Sequence, residues 1–528
     1  MQDIILKSVQ AAQKEFEHKF PDKIVTRDFF RKFIKSSKPG FLESDYLGEY
    51  GSFANLIAAA DILPIVDEEE IDTGVNREDL NIIKKAKTTG GSKRYFVSSI
   101  IAGAPIEEDF LSAALNYCKV TKSELVLLAM RGVTTSDNFS NETLDLYEQY
   151  IATEYQFNKN LIATDFLLNP SQIIPLTGLP RFGQKEYSII IAHSKQMLVS
   201  VPTKKGGIAH LVMSTGTINT PCYSNSRQGR LASQDNLLGG LIVEIADSKT
   251  FYIRQVQWIN KCFCDLNKKY TKDSCTSEAP EAYILGDLHI GEQDDVAMKA
   301  AKEVIKYTGV KNIFIHDLVS MRSISHHEEH DLYAKHTRPE HQKTLEKELD
   351  YTGNWLKAWM KDIRVPGRNF LVVKSNHDEH LERYLTEGRF VCDHMNARLA
   401  ASLFIKYLDE KNPLESYLKE TFVELKCLKF LIRDESVEIS GIECGSHGDI
   451  GNNGGRGSMQ SFELNFGRSV TAHSHSPAIF RDTWRVGTNS KLDLPYAKGG
   501  SSWLHSDCLV FKNGSRQLIV KIKGKWKI

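Results

Sequence analysis

The sequence has no long hydrophobic run: nothing in its 528 residues approaches the roughly 18–20 consecutive apolar residues of a membrane span. A membrane partner is therefore not expected. It has no excess of charge, because Lys plus Arg and Asp plus Glu are 67 each. Any nucleic-acid-binding surface must then be local. The nine cysteines are scattered, odd in number and without a C-x-x-C pair, which argues against a disulfide framework or zinc ribbon. Cys262, Cys264 and Cys275 sit in a polar stretch and read as reduced bystanders. The opening MQDIILKSVQAAQKEF lacks the basic start, apolar core and cleavage site of a secretory signal. The expected location is the cytoplasm. Residues 93–260 show no Walker loop and no dinucleotide glycine fingerprint.

What is present is a globular composition, 41% hydrophobic and 25% charged, over a length suited to about three domains. Residues 1–72 read as a small helical module. Ile4, Ile5, Val9 and Phe16 have helical spacing over about 4–19, Thr26 is placed to cap a second helix, and GSFANLIAAADI reads as a third. The phrases IVTRDFFRKFI and GEYGSFANLIAAADI resemble the repeat found beside homing endonucleases, which implies DNA binding through a helix-turn-helix; a docking or oligomerisation module is the other reading. Residues 65–92 and 261–280 read as linkers. Between them, 93–260 reads as an α/β domain of unknown role: RYFVSSIIAG, a helix, ELVLLAM, then the strand-like runs YSIIIAH, MLVSVP, HLVMST, LIVEIA and FYIRQVQ. It resembles an uncharacterised module of phage-encoded phosphoesterases.

The chemistry gathers in 281–528, since 14 of the 17 histidines follow residue 280. Five patterns occur in order: YILGDLHIG with Asp287 and His289, NIFIHDLVS with Asp317, FLVVKSNHDEH with Asn376 and His377, IECGSHGDIG with His447, and SVTAHSHSP with His473 and His475. Each follows an apolar run that reads as a buried strand. Loops leaving the carboxyl ends of such strands converge on one rim. Carboxylate, imidazole and amide oxygen together suit Mn²⁺, Zn²⁺ or Fe²⁺. A D-x-H or H-x-H step points both side chains the same way.

This ordered set resembles the calcineurin-like metallophosphoesterases over about 250 residues. The resemblance implies a two-metal α/β sandwich over 281–528. Asp287, His289, Asp317 and His475 would hold one ion and Asp317, Asn376, His447 and His473 the other, with Asp317 shared and His377 as the acid. The expected cofactors are two divalent ions, Mn²⁺ first, with Zn²⁺, Fe²⁺ or Mg²⁺ as alternatives. Three positions that the family fills with glycine hold His316, Ser375 and Ala472 here. Where the family often places Asp or His to orient the acid, this chain has Ser320, so either Ser320 or a residue of the following insertion must do so.

Several features bear on the substrate. His327 is the first choice, among the histidines after Asp317, to reach the scissile phosphate; an exposed polar helix is the bland alternative. Arg456 lies in GDIGNNGGRGS, suited to a phosphodiester, or is a solvent-facing residue of a glycine turn. Lys521, Lys523, Lys525 and Lys527 alternate and, on a strand, would share one face. That stripe either tracks phosphates or blunts an edge strand. The reading is a DNA nuclease, expected to be a homo-oligomer and resembling an early host-takeover nuclease of a tailed phage. A phosphomonoesterase or small-molecule diesterase, and a DNA-binding regulator with a vestigial phosphoesterase domain, are the rivals.

Overall fold

The structure, a computed structural model, describes residues 2–19, 30, 33, 82–86, 93–131, 139–166, 168–169, 172, 174–183, 187–494 and 497–528. The chain divides into two compact units, 1–73 and 74–528. In the first, the helix Gln2–Lys19 buries Val9, Ala12 and Phe16, a stripe of helical period. The second and third helices expected in this module, with Thr26, lie outside the described residues. No helix among the described residues is long and apolar enough to cross a membrane.

The second unit is mixed α/β. Its front half carries β1 (Ile83–Lys85), β2 (Arg94–Ile101), β3 (Glu124–Met130), β4 (Ile151–Ala152), β5 (Glu154–Asn158), β6 (Leu161–Thr164), β7 (Ser188–Ile191), β8 (Leu198–Val201), β9 (His210–Ser214), β10 (Gly239–Ile245) and β11 (Phe251–Gln257). A meander of β12 (Phe263–Asp265), β13 (Lys268–Tyr270) and β14 (Cys275–Ser277) follows. The rear half carries β15 (Ala282–Ile284), β16 (Asn312–Ile315), β17 (Asn369–Val372), β18 (Leu428–Phe430), β19 (Glu438–Ile439), β20 (Ile442–Glu443), β21 (Ser469–Thr471), β22 (Ala478–Phe480), β23 (Thr483–Arg485), β24 (Ser506–Val510) and β25 (Arg516–Val520).

The two halves repeat one topology. One sheet runs β11-β10-β2-β3-β4 and another β25-β24-β15-β16-β17-β18. In both, a hairpin pairs antiparallel with one strand, β2 or β15, and that strand pairs parallel with the next, β3 or β16. The largest sheet contains β6-β7-β9-β8 followed by β22-β23-β21-β20, the same four-strand order met head on. They join where Leu198 pairs Ile479 and Val199 pairs Ala478, antiparallel.

Individual hydrogen bonds repeat as well. Thr217 Oγ1 donates to the Ser99 carbonyl at 3.1 Å, and Thr488 Oγ1 to the Asp287 carbonyl at 2.9 Å. The next amides, Ile218 and Asn489, donate to the same two carbonyls at 3.0 and 2.7 Å. Each final hairpin is followed by a tight turn, Ile259 to Cys262 and Ile522 to Lys525, closed by two reciprocal backbone bonds.

Period-two burial sets the layers. Phe314 of β16 points into a cluster between facing sheets, with Ile284, Val470, Ile479 and Trp484, and the same cluster takes in Val97, Ala163, Ile190 and Met213 of the front half. Ile313 and Ile315 point the other way, against Met298, Val304 and Ile305 of the helix Asp295–Thr308 and Leu349 and Leu356 of the helix Leu345–Met360. The Asp294 carboxylate accepts from the Ala297 amide at 2.9 Å, and Gly309, at φ 69°, ends the first of these helices.

Three expectations are corrected. Residues 261–280 are not a linker: Phe263 and Tyr270 are buried and stack at 5.2 Å, so a polar-looking stretch is a packed meander. Within 65–92, Ile83–Lys85 pairs with β5 as a strand. The lysine stripe does not form, because the strand stops at Val520. Lys521 is buried and bonded to Asp507 and Asn489. Lys523 sits in the turn at φ 50° and Lys527 lies 3.3 Å over the Tyr307 ring. Only Lys523 and Lys525 of the four are exposed.

Candidate metal centre

The loops that follow β15, β16, β17, β20 and β21 supply Asp287 and His289, Asp317, Asn376 and His377, His447, and His473 and His475 in turn. Parallel pairing of β15, β16 and β17 puts three of these loops on one rim. Four of the residues hold left-handed backbone: His289 at φ 47°, Asp317 at 45°, His473 at 74° and His475 at 60°. For non-glycine residues this costs on the order of 1–3 kcal/mol each. The surrounding hydrogen bonds maintain it, including His289 N to Asp317 O at 2.7 Å and Leu504 N to His475 O at 3.1 Å.

Asp287, His289, Asp317 and His475 are all buried, and one ligand atom from each lies within 4.8 Å of the others. His289 Nε2 is 3.0 Å from His475 Nε2 and 3.3 Å from Asp317 Oδ2, and His475 Nε2 is 3.3 Å from Asp287 Oδ2. A second set adjoins the first through Asp317. His447 Nε2 is 3.4 Å from Asp317 Oδ2, the His473 ring is 5.3 Å from that of His447, and His473 Nδ1 is 3.2 Å from Asn376 Oδ1.

Electrostatics sets the test of fit. Burial and then the neighbouring charge of Asp317 push the Asp287 carboxyl up to about 8. Burial would raise Asp317 too, but His447, His289 and His377 hold it well below the usual carboxylate range. Burial lowers His475 to about 3 and takes His289 well below its ordinary value. Asp287 Oδ2 and Asp317 Oδ1 are buried without a hydrogen-bond partner, although buried polar atoms are as a rule bonded. Two carboxylates and two neutral imidazoles converging this way fit a divalent cation, so the group can hold a metal ion.

His377 is fixed by its main-chain neighbour. Its Nδ1 is 3.1 Å from the Ser320 carbonyl, and its ring lies 4.4 Å from that of His289. The Ser320 hydroxyl instead donates to Glu348 at 3.0 Å. Glu348, buried in the helix Leu345–Met360, also accepts from the amides of Arg322 and Ser323 at 2.9 and 2.8 Å. Sequence reasoning missed Glu348, whose only signal was an acidic residue on the apolar side of a helix. It also missed the use of His316. That ring is fully buried, stacks on His447 at 5.5 Å and faces its Nδ1 at 3.3 Å, and burial lowers it to about 3.

The residues expected to touch substrate are more dispersed. His327 is exposed; its ring is 3.8 Å from His326 and 6.3 Å from His380, whose own ring is 4.9 Å from His377. Arg456 is exposed on a small hairpin closed by Gly451 N to Gly455 O at 2.7 Å and Gly457 N to Asp449 O at 2.9 Å. A pocket of about 220 Å³ beside His447 is lined by Lys374, Arg433, Ser446, Asp449 and Phe466 among others.

The chain is similar to "Protein A1" of Escherichia phage T5, with 28% identity over 468 residues, 82% of this chain and 83% of that protein. The similarity supports a phage origin. No family model matches the chain, and no solved structure matches it.

The repeated topology shows what the front half has in place of this centre. The matched Thr217 and Thr488 bonds set Ser99 against Asp287, which by count sets Ile101 against His289. Ala102 N to Met130 O and Ile290 N to Leu318 O, both 3.0 Å, set Ala129 against Asp317. Ala192 N to Thr164 O and Ala472 N to His447 O set Thr164 against His447. The phrases AHSK and AHSH then set His193 against His473 and Lys195 against His475. The front half thus keeps one imidazole and no carboxylate at the matched positions.

Proposed function

We propose that this chain is a metal-dependent phosphodiesterase that cleaves DNA, phage-encoded and acting in the degradation of host DNA. The observation that carries the reading is the buried convergence of Asp287, His289, Asp317 and His475 at strand ends, continuous through Asp317 with His447, His473 and Asn376. The first four would hold one divalent ion, and Asp317, Asn376, His447 and His473 a second, with Mn²⁺ the ion of first choice. Bound there, such ions polarise a phosphoryl oxygen and make water nucleophilic at neutral pH.

The protein's own groups do the rest. Nδ1 of His377 is engaged by the Ser320 carbonyl, which leaves Nε2 to hand a proton to the leaving oxygen. Glu348 holds the 320–323 segment that carries this carbonyl. Arg456, exposed and without an ion pair among the described residues, would meet a phosphate next to the scissile one. Similarity to a phage protein over most of both chains supports the biological setting.

The deciding experiment compares supercoiled plasmid, bis-p-nitrophenyl phosphate and p-nitrophenyl phosphate, with the full chain stripped of metal and then given Mn²⁺. Plasmid and bis-ester should be cut only with metal, and the monoester much more slowly. Fast monoester hydrolysis with intact plasmid would make the protein a phosphomonoesterase. Plasmid binding without cleavage of any of the three would make it a regulator.

A further inference from the structure

Two Lys-Gly-Gly phrases, TKKGG at 203–207 and AKGGSS at 497–502, come from different halves of the repeated fold. The structure pins them together. Thr203 N donates to Ser501 O at 3.0 Å, and Ser501 N to Thr203 O at 2.9 Å. A Cβ on Gly500 would come within 2.9 Å of the Thr203 carbonyl, so close approach of the two backbones requires glycine there. Gly499 holds φ +83°, open to glycine at little cost.

The paired loops are anchored on the metal centre. The Trp503 ring meets the His475 ring edge-on at 4.3 Å, and Ser502 Oγ is 2.7 Å from Ser476 Oγ. Lys204, Lys205 and Lys498 project from these loops, all exposed. None forms a salt bridge among the described residues. In a chain with 67 positive and 67 negative side chains, three exposed cations on two joined loops, tied to the His475 ring through Trp503, make a local excess of positive charge.

We propose that the two loops form a clamp for the phosphate backbone of a nucleic-acid strand, with Lys204, Lys205 and Lys498 each meeting a phosphate beyond the scissile one. The clamp deepens the phosphodiesterase reading and rests on it. Lysine ammonium groups on glycine-rich loops act as adaptable point charges that hold a backbone and read no base. The front half, which lacks the ligand set, then has a role at the active site: the loop between β8 and β9 reaches across the join to complete the clamp.

The test is the triple variant Lys204→Gln, Lys205→Gln, Lys498→Gln, beside a triple Lys→Arg control. Duplex DNA binding by the full chain is measured in EDTA over a range of salt, and bis-p-nitrophenyl phosphate hydrolysis with Mn²⁺. Each lost phosphate contact flattens the slope of log affinity against log salt by about 0.9. The Gln variant should therefore lose about 2–3 units of slope and bind at least roughly tenfold more weakly at low salt, while the Arg control retains both. The loss on the bis-ester, which has no flanking phosphates, should be far smaller. Wild-type salt slope and affinity in the Gln variant, with bis-ester hydrolysis present, would overturn the clamp and leave the phosphodiesterase standing. A wild-type protein inert toward the bis-ester would overturn both.

Discussion

Asp317 meets imidazoles on two sides, with His289 at 3.3 Å and His447 at 3.4 Å from the same oxygen. On the proposed reading this carboxylate would be shared by two cations, and Asp317→Asn removes the charge with almost no change of shape. Bound Mn²⁺, measured by elemental analysis, and diesterase rate should fall together, while the far-ultraviolet circular dichroism stays that of the parent. Two bound ions and near-normal turnover would remove Asp317 from the centre. His377 makes a different claim, because it is fixed through Nδ1 to a carbonyl and is not counted among the ligands. His377→Ala should keep metal occupancy and slow hydrolysis by about 10²–10⁴-fold. The loss should shrink for esters with good leaving groups, which need little protonation. Equal losses across leaving groups would argue for a purely structural histidine.

Between residue and molecule, the elements show what sequence alone can carry. The five Asp- and His-bearing patterns were readable because each couples a buried apolar run to a polar strand end, and the structure places all five loops at the ends of strands. The meander at 263–277 was not, since Lys272, Asp273, Ser274 and Ser277 are exposed around the few buried rings of Phe263 and Tyr270, and nothing in the sequence marks Asp265 as buried. Nor was the fate of Lys521: alternation predicts a strand face, but only the fold reveals Asp507 waiting in the interior. The meander also closes an ion network. Arg254 binds Glu244 of β10 at 3.0 Å and Asp265 of β12 at 2.8 Å, and Arg94 binds Glu244 at 2.8 Å. Burial alone would raise the Glu244 carboxyl, but Arg254 and Arg94 overcome it and bring it down to about 2. A carboxyl depressed in the folded state stabilises above its unfolded value and loses that contribution as pH falls towards its folded value. Glu244→Gln should thus lower stability at pH 7 by roughly 3 kcal/mol. The gap from wild type in urea unfolding should narrow between about pH 5 and 2. A gap that does not change with pH would deny the network its charge.

At the scale of the whole molecule, the repeated topology was hidden because the matched positions hold Ser99, Ile101, Ala129 and Thr164 where the rear half has Asp287, His289, Asp317 and His447. Without those Asp and His side chains the front half shows no pattern of this kind, and short phrases such as AHSK and AHSH are what mark the common strand order. The joined sheet makes a thermodynamic claim. Asp235 of the front half pairs with Lys195 at 2.7 Å, the residue standing where His475 stands in the rear half, and with Arg481 of the rear half at 3.2 Å. Together with the β8–β22 pairing, this ties the two halves into one cooperative body. Asp235→Ala would leave Lys195 without its carboxylate and cost roughly 3 kcal/mol. Metal binding at the rear half should act in the opposite sense on both halves, adding about 2.7 kcal/mol at a hundredfold excess over Kd. Tryptophans report each side, Trp258 in the front half and Trp484 in the rear, both buried. With the other tryptophans replaced by Phe, so that Trp258 or Trp484 is the sole one left, thermal unfolding followed by fluorescence should give a single transition at the same temperature from either probe. Asp235→Ala should lower it for both, and Mn²⁺ should raise it for both relative to EDTA. If Mn²⁺ moved the Trp484 transition and left the Trp258 transition in place, the halves would be independent domains that share only a strand edge.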